Sequence, residues 1–370
     1  MKNHPQGTIG ILVSESGGPF PFAESAFCRK LCTIGERQGL CVYVFCPAWI
    51  TGGNAGGIQG YTTQRGTWVR RRFPRPDIIY DRCLIHDRKQ QLRKHQLLSR
   101  LAAEHPFICL TRGLAGKWAV YQALRQCPKA VPYLPETEIY DGPAQLREWL
   151  QAHDGEVFLK PRNGTHGKRT LYAKLQHPDG ELRVIGRSGR NSIFRRRFSS
   201  QQEGLKWVDR FIGKRPFLIQ PYLQLNSAGG EPFDVRVLMQ KNATGVWSLT
   251  GMAVRAGQKH SLTSNLHGGG TAHQALPFLV RELGETDGKA AVTAIRKLSF
   301  LIPEYLETRF GRLAELGLDF GVDRQGCVWV LEVNSKPGRS SFFHIGDPES
   351  ARKSLENPIF YARHLLLSKP

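Results

Sequence analysis

Short apolar runs alternate with an amphipathic segment in the first third of the chain. Residues 8–13 (TIGILV) and 40–45 (LCVYVF) are continuous apolar runs typical of buried strands, and residues 22–39 between them follow a helical pattern. A strand, a helix and a strand at this spacing predict a parallel sheet with a right-handed crossover. Residues 77–83 (DIIYDRC) predict a further strand. We therefore expect an N-terminal α/β domain over residues 1–112.

The middle of the chain predicts two helices and a hairpin. Residues 117–126 and 143–152 follow helical patterns, and residues 156–160 (EVFLK) predict a strand. A glycine-containing turn at residues 163–168 (NGTHGK) then leads into another strand. We expect residues 113–222 to form a second domain around this hairpin.

Two glycine-rich segments differ in what surrounds them. Residues 51–60 (TGGNAGGIQG) do not follow the strand-to-helix pattern of a dinucleotide-binding turn, so they predict a loop. In residues 163–168, glycines would let backbone N–H groups approach an anion, while Lys160 and Lys168 add positive charge. An ordinary basic hairpin is the alternative for this segment taken alone.

An apolar run with an internal glutamine follows at residues 217–223 (FLIQPYL). Because proline disfavours a central strand, Pro221 predicts an edge or hinge segment, in which the Gln220 amide could contact a planar heterocycle. Residues 233–240 and 246–257 then predict two strands joined by a tight turn, NATG.

Strict alternation decides which side chains of this hairpin share a face. With Lys241 opposite Val246, the side chains of Asp234, Arg236 and Arg255 project to the same side. Because charged residues are seldom buried without a partner, arginines among apolar residues favour a functional cluster over a surface ladder.

A second hairpin carries a carboxylate inside an apolar run. Residues 317–322 (GLDFGV) and 327–334 (CVWVLEVN) predict two strands joined by the turn DRQG. Burial of an unpaired carboxylate is costly, so Glu332 must have a partner. Strict alternation from the turn puts Asp319 opposite Val330, on the face predicted for Glu332.

Asn334 shares that predicted face, so two carboxylates and an amide are expected to lie together. Oxygen donors without His or Cys are typical of a site for Mg²⁺ or Mn²⁺. The alternative is a carboxylate neutralised by Arg236 or Arg255. The glycine-rich hairpin favours a metal, since Mg²⁺ usually shares its ligands with nucleotide phosphates.

The composition predicts a globular protein. A chain of 370 residues with 40% hydrophobic content can bury a full core. No N-terminal stretch resembles a signal peptide and no apolar run approaches the roughly 20 residues of a membrane helix, so we expect a cytoplasmic protein without a membrane span. The eight cysteines form no CxxC pair and predict reduced core thiols.

The formal charge of +21 predicts an anionic partner of some kind. Ten Lys or Arg residues lie within residues 183–215, including the run 195–197. A solvated face and an anion-binding surface both fit this run. Nucleic acid is the weaker candidate, because only Phe194 and Phe198 provide aromatic interleaving.

Together these motifs resemble the ATP-grasp superfamily. The order is a lysine at a helix start (Lys117), a lysine before a glycine-rich loop (Lys160), a hinge at residues 220–223, and a hairpin ending in LEVNSKPG. The segments FLKPRNGTHGKR, FLIQPY, DVRVLMQ and ELGLDFGVD are more closely similar to YheC/YheD-type ATP-grasp proteins associated with the endospore coat. The resemblance spans about residues 117–340.

The resemblance implies an α/β (α+β) ATP-grasp fold with an N-terminal parallel-sheet domain and a C-terminal lobe over residues 223–370. It implies ATP and Mg²⁺, or Mn²⁺, as cofactors of a carboxylate–amine ligase that works through an acyl phosphate. The implied sites are Lys117, Lys160, Asn163, Gly164, Gly167 and Lys168 for phosphates; Gln220, Tyr222 and Leu223 for adenine; Asp319, Glu332 and Asn334 for metal; Arg236 and Arg255 for catalysis; and Asn265, Lys336 and Arg339 for substrate or phosphate. No acidic residue just after the hinge is evident for the ribose.

The expected partners are ATP, a carboxylate and an amine. The expected substrate is an amino acid, an acidic peptide or polymer, or a component of the spore or cell envelope. A protein that binds ATP structurally in the spore coat, or a basic polyanion-binding module without turnover, is the alternative.

Overall fold

The computed structural model describes residues 6–50, 57–84, 88–164, 167–176, 180–259 and 269–368. Three sheets with their helices make up a mixed α and β architecture, as predicted. No helix in the described ranges is long and apolar enough to cross a membrane.

The first sheet is mainly parallel. Its elements are β1 (Thr8–Leu12), α1 (Ser25–Arg37), β2 (Cys41–Phe45), β3 (Ile58–Gln64), β4 (Thr67–Phe73), β5 (Ile78–Asp81), α2 (Arg88–Glu104) and β6 (Ile108–Cys109). The strand order is β4-β3-β2-β1-β5-β6, with β1 parallel to both β2 and β5. Because α1 connects the parallel strands β1 and β2, the predicted crossover helix is present, and every residue of the apolar strand β1 is buried.

The loop predicted over residues 51–60 is wrong at its end, because Ile58 begins β3 and is 3% exposed. Residues 51–56 lie outside the described part of the chain. Strand β3 turns back into β4 through Arg65 and Gly66, which both have positive φ, the backbone that a two-residue hairpin turn requires.

The second sheet is antiparallel. Its region contains α3 (Lys117–Leu124), β7 (Glu138–Ile139), α4 (Pro143–Ala152), β8 (Glu156–Pro161), β9 (Leu171–Leu175), β10 (Leu182–Arg187), β11 (Ile193–Phe198), α5 (Gln201–Ile212) and β12 (Phe217–Pro221). The order is β11-β10-β9-β8-β12-β7, and α4 and α5 cover one face with apolar side chains. The edge position predicted for residues 217–223 is wrong, since β12 lies between β8 and β7. Pro221 is tolerated because the strand ends there.

The third sheet carries the second predicted hairpin. Its region contains β13 (Phe233–Lys241), β14 (Trp247–Ala256), β15 (Thr271–Gln274), α6 (Ala275–Leu283), α7 (Glu285–Phe310), β16 (Glu315–Val322), β17 (Val328–Asn334), α8 (Ser340–His344) and α9 (Pro348–Leu367). The order is β15-β14-β13-β16-β17, and the largest core joins this sheet to α3, α6 and α7. Helix α9 also packs on the first sheet through Ile359 and Tyr361. The domain boundaries given above stay predictions.

Each hairpin in this sheet contains a β-bulge, so its register differs from the predicted one. Val322 pairs with Val328, one residue later than predicted, but Asp319 pairs with Glu332 because Leu331 is an extra residue in β17. The core therefore takes Val330 and then Val333. The prediction that Val330 shares a face with Glu332 is wrong, and the bulge is the reason.

The register of the β13–β14 hairpin differs from the predicted one in the same way. Its turn is one residue longer than predicted, and Thr250 is the extra residue of a bulge in β14. The two shifts together move the register by an even number of positions. Asp234 and Arg236 therefore still share a face with Arg255, although Asp234 pairs with Arg255 rather than with Ala253.

A buried polar cluster joins the first and third sheets. Glu315, which is 1% exposed, accepts hydrogen bonds from Tyr80 (2.5 Å), Arg82 (3.2 Å), Gln240 (3.0 Å) and Arg339. Arg82 also donates two hydrogen bonds to Glu24, so the two guanidinium groups are balanced by two carboxylates, Glu315 and Glu24. Such a pair contributes little when complete, but loss of one partner leaves a buried charge unpaired.

We expect Glu315→Gln to lower the free energy of unfolding by about 3–5 kcal/mol, because Arg339 would lose its carboxylate partner and Arg82 would keep only Glu24. Urea unfolding followed by circular dichroism measures this loss. The control is Glu285→Gln, whose carboxylate is 74% exposed and pairs with Lys289 on the helix surface; it should change stability by about 1 kcal/mol or less. Equal effects of the two substitutions would contradict the assignment.

Candidate functional site

A cleft lies where helix α3, strands β8 and β12 of the second sheet and edge strand β17 of the third sheet meet. Lys117 begins α3, Lys160 lies on β8, Gln220 on β12 and Glu332 on β17. The residues that line this cleft are Lys117, Val120, Tyr121, Leu124, Leu134, Thr137, Lys160, Leu218, Gln220, Val330, Leu331, Glu332 and Val333. The cleft therefore brings together four of the residues predicted from four separate motifs.

The charged end of the cleft contains two lysines and one carboxylate. Lys117 Nζ lies 3.3 Å from Glu332 Oε2, with both side chains partly exposed. The structure thus answers what meets the carboxylate of the apolar run: a lysine from the second region of the chain. Asn163 Oδ1 is close to the start of α3, 3.5 Å from the position that a Cβ on Gly116 would occupy.

Lys160 is the most perturbed cation of the cleft. Burial and, to a smaller extent, the charge of Lys117 lower its pKa to about 8, while the charge of Glu332 acts in the opposite direction. A second positive charge beside a buried lysine repels it, and this is unfavourable unless an anion binds next to both charges. This end of the cleft is therefore suited to a ligand with negative charge.

The other end of the cleft is apolar. Val120 and Leu124 of α3 and Leu218 of β12 line it. The Gln220 amide donates a 2.6 Å hydrogen bond to Thr137 Oγ1, which fixes the amide at the cleft wall. The contact of Gln220 with a planar heterocycle stays a prediction. Thr137 was missed by sequence reasoning, because nothing in its local pattern distinguishes it from other loop threonines.

Tyr222 and Leu223 follow β12 but are not among the residues lining the cleft. The Tyr222 ring lies 4.2 Å, centroid to centroid, from Tyr172 on β9. Burial raises the pKa of Tyr222, and its contact with Asn226 partly offsets that effect. Tyr222 therefore buttresses the hinge in this structure. Its predicted contact with adenine, like that of Leu223, stays a prediction.

Next to Glu332 lies a cluster of two arginines and two aspartates, Asp234, Arg236, Arg255 and Asp319. Arg236 donates two hydrogen bonds to Asp319, one of them 2.9 Å, and Arg255 donates two of 2.7 Å to Asp234. Arg255 also lies 3.1 Å from Asp319. The four charges of the arginine–aspartate cluster thus balance one another.

The pKa values in this cluster agree with that arrangement. Burial by itself would raise the pKa of Asp319, but Arg236 and Arg255 outweigh burial and lower it. Burial would lower the pKa of Arg255, but Asp234 and Asp319 raise it. Asp319 and Arg255 therefore stay charged at neutral pH. The two predicted catalytic arginines are held by carboxylates rather than pointing freely into the cleft.

The predicted metal ligands lie side by side. Asp319 pairs with Glu332 across the strands, and Asn334 Nδ2 lies 3.4 Å from Asp319 Oδ2. The described part of the chain contains no group of three or more His, Cys, Asp or Glu side chains that could hold a metal ion. Any metal here would thus rely on two carboxylates and one amide.

Asp319 and Glu332 are not equally available to bind a hard cation. Each oxygen of Asp319 already accepts two hydrogen bonds, from Arg236 and Arg255 on one oxygen and from Arg236 and Asn334 on the other. Glu332 has a single lysine contact and is 29% exposed. Glu332 is therefore the accessible carboxylate, and Asp319 would bind a cation only if an arginine gave way.

Two of the three predicted substrate or phosphate residues, Lys336 and Arg339, are not in the cleft lining. Arg339 is 7% exposed and belongs to the Glu315 cluster. Lys336 Nζ lies 3.1 Å from Asp81 and donates a 2.6 Å hydrogen bond to the Cys83 carbonyl, beyond the end of β5. Asn265 lies outside the described residues. Gly164, Gly167 and Lys168 flank two residues that are also outside them.

Comparison with known proteins identifies relatives of the whole chain. The family model YheC/D like ATP-grasp matches residues 107–365. The endospore coat-associated protein YheD of Bacillus subtilis is 31% identical over 362 residues, covering 94% of this chain and 77% of the relative.

Solved structures share the fold at low identity. D-alanyl-alanine synthetase A from Vibrio cholerae superposes with a TM-score of 0.53 at 10% identity, covering 98% of this chain and 99% of that one. N5-carboxyaminoimidazole synthetase from Staphylococcus aureus, complexed with ADP, gives 0.50 at 11% identity, covering 96% and 77%. These likenesses show the ATP-grasp fold, as the motifs predicted.

We expect Lys160 to titrate near pH 8 in the free protein. Because its folded pKa lies below the ordinary 10.5, the unfolded chain binds more protons between these values, and stability contributed by this group rises with pH through that window. NMR of protein labelled with ¹³C-lysine measures the midpoint, and Lys160→Arg assigns the signal.

Two variants test the cause of this shift. Lys117→Met should raise the pKa of Lys160 by removing a like charge, and Glu332→Gln should lower it by removing an opposite charge. Shifts of the same sign in both variants would contradict the electrostatic account.

Proposed function

Because the chain belongs to the YheC/D-like ATP-grasp family, we propose that it is an ATP-dependent ligase that joins a carboxylate to an amine. The observation that carries the proposal is the cleft in which Lys117, Lys160 and Glu332 meet at one end and an apolar wall lies at the other. A nucleotide has a flat base and a polyanionic tail, so it matches both ends. The solved relatives named above as synthetases support the ligase class.

Different residues of the cleft would contact different parts of the nucleotide. Lys117 and Lys160 would bind the phosphates, and the turn that includes Asn163, Gly164, Gly167 and Lys168 would close over them with its backbone N–H groups. Gln220, held by Thr137, would meet the edge of the base. Phosphate charge would also relieve the repulsion between the two lysines.

A divalent cation such as Mg²⁺, or Mn²⁺, would be held by Glu332 first, with Asp319 and Asn334 beside it. When bound, it would supply positive charge to the phosphates and lower the cost of charge build-up during transfer. Arg236 and Arg255 hold Asp319 in place. If one arginine moved to the transferred phosphoryl group, the same motion would free an oxygen of Asp319.

The proposed chemistry has two transfers. A substrate carboxylate oxygen attacks the γ-phosphorus of ATP, the bond to the bridging oxygen breaks, and ADP and an acyl phosphate result. The lone pair of an amine then attacks the acyl carbon, phosphate leaves with the bonding electrons, and the amine loses a proton. Lys117 and Lys160 would stabilise the negative charge that spreads over the phosphoryl oxygens.

A second function has one specific observation in its favour. The relative YheD is described as endospore coat-associated, so the chain could act in or near the spore as a protein that binds ATP without turnover. The charge of +21 also fits a module that binds a polyanion. Both readings predict nucleotide or polymer binding with no ADP formation.

Acceptor-dependent ADP formation separates these functions. Purified protein with Mg²⁺ and ATP would be screened against mixtures of amino acids and acidic peptides, with mass spectrometry of the products. A ligase forms ADP over many turnovers, with one ligated product for each ADP, only when both a carboxylate and an amine are present. ATP binding without ADP formation in every mixture would favour the coat protein.

We expect Glu332→Ala to reduce Mg²⁺-dependent ADP formation about 100-fold or more, because the accessible carboxylate of the cleft is lost. The matched control is Asp323→Ala, at the turn of the same hairpin. The Asp323 carboxylate accepts hydrogen bonds from the Cys327 backbone N–H and from Trp329 Nε1, and it has no contact with the cleft. Asp323→Ala should retain turnover. Full activity of Glu332→Ala would contradict the role given to that residue.

A further inference from the structure

The face of the second sheet that lines the cleft continues well beyond it. On β8 to β11, alternate side chains such as Leu159 and Val184 pack against α4 and α5, so the intervening side chains project to the opposite face, that of Lys160. Two cross-strand rows run across this face to the edge of the sheet. One row is Glu156, Lys174, Arg183 and Arg197, and the other is Phe158, Tyr172, Ile185 and Arg195.

The outer part of this face, the β9–β11 face, is exposed and cationic. The side chains of Lys174 and Arg183 are both 42% exposed, and that of Arg197 is 66% exposed. Two carboxylates of the described residues lie among them: Glu156 pairs with Lys174, and Glu181 accepts from Arg183 and Arg197. Three cations thus share two carboxylates in these ion pairs, so the described part of the face keeps an excess of positive charge.

Strand β11 is also the edge of its sheet. On an edge strand, half of the backbone N–H and C=O groups point away from the neighbouring strand and can pair with an added one. Its outward-facing Ile193 is 41% exposed and lies beside the arginines. An extended polypeptide can satisfy these backbone groups, whereas the phosphate backbone of a nucleic acid cannot continue the ladder.

The edge leads toward the segment that follows the glycine-containing turn after Lys160. The Arg187 amide donates a 2.9 Å hydrogen bond to the Thr170 carbonyl, and the turn between β10 and β11 closes with a 2.8 Å bond from Ser188 to Ser192. Arg169 lies against this turn, with its guanidinium 2.9 Å from the position of a Cβ on Gly189. A chain lying along β11 therefore ends beside the segment that follows Lys168.

We propose that the β9–β11 face and the β11 edge bind an acidic peptide in extended form and deliver it to the cleft as the acceptor substrate. This inference rests on the ligase function proposed above. Carboxylates of the peptide would pair with Arg195, Arg197 and Arg183, and its backbone would form hydrogen bonds with β11. Its apolar side chains would pack against Ile185 and Tyr172, which lie between the cations. The substrate class is thus a glutamate- or aspartate-rich polypeptide.

A competing explanation is protection of the edge. Arginines on an edge strand prevent pairing with other chains, and β4, an edge of the first sheet, carries a similar run at residues 70–72. Protection would explain both runs equally. Only the β11 run lies on a face shared with the cleft, so β4 provides a matched control in the same chain.

The probe is a fluorescein-labelled decapeptide of L-glutamate, with binding followed by anisotropy at about 50 and 200 mM salt, a range over which screening weakens charge pairing. We expect Arg195→Glu with Arg197→Glu to weaken binding at least about tenfold, and Arg70→Glu with Arg72→Glu to change it less than about twofold. Urea unfolding reports whether charge reversal affects folding. If it does, the milder double substitution Arg195→Gln with Arg197→Gln is used in its place.

Two further probes separate the modes of binding. The same decapeptide with alternate N-methylated residues keeps its charge but loses N–H donors, and should bind at least about fivefold more weakly. A ten-nucleotide oligothymidylate should bind more weakly than the peptide. Equal losses in the β4 and β11 variants, no effect of N-methylation, or oligothymidylate binding that is as tight and as dependent on Arg195 and Arg197 would each overturn the proposal.

The proposed ligase function is tested apart from this surface. ATP binding to the unaltered protein is measured separately by calorimetry. If ATP binds and ADP forms but the decapeptide does not bind, the docking surface is wrong and the ligase stands. If the decapeptide binds through Arg195 and Arg197 while ATP does not bind, the ligase function is wrong and the face is an acidic-peptide site alone.

Discussion

The bulge at Leu331 is the constraint on which the cleft depends. Without it, alternation along β17 would put Glu332 on the same face as Val328 and Val330, inside the largest core of the molecule. The extra residue lets Val330 and Val333 both contribute to that core while Glu332 turns to the other face, beside Asp319. Bulges often redirect a side chain next to a functional site, and here the redirected side chain is the carboxylate that meets Lys117.

Once the carboxylate faces the cleft, its neighbours decide what it can do. Asp319 is surrounded by Arg236, Arg255 and Asn334, so its charge is already compensated inside the protein. Glu332 is compensated only by a lysine, beside the second lysine, Lys160, whose pKa burial lowers. The cleft therefore has more positive charge than its own carboxylate neutralises. A polyanionic ligand with a cation would complete this balance, which is why the geometry favours a nucleotide over a neutral ligand.

The sequence allowed the main elements and the shared face of the site residues to be predicted, but not their contacts. The apolar runs of β1, β2, β5 and β8 are long enough to identify strands, and the motif order identified the family. Strict alternation gave the right face for Asp319 only because a longer turn and a bulge shift the register by an even number of positions. Bulges carry no clear local signal, so Val330 was misplaced. Lys117 as the partner of Glu332 depends on packing between distant segments, which no local pattern encodes.

The first sheet also bears on the site, because β16 carries both the Glu315 cluster and the metal candidate on one face. Glu315, Gly317 and Asp319 follow one another at alternate positions of a regular strand. Tyr80 and Arg82 come from the end of the parallel sheet and hold Glu315, while Arg236 holds Asp319. Gly317 between them leaves room for Pro337, since a Cβ there would lie 2.8 Å from that ring. The strand that positions Asp319 is thus fixed at its start by the N-terminal region, so the N-terminal sheet is part of the framework of the cleft and not a separate appendage.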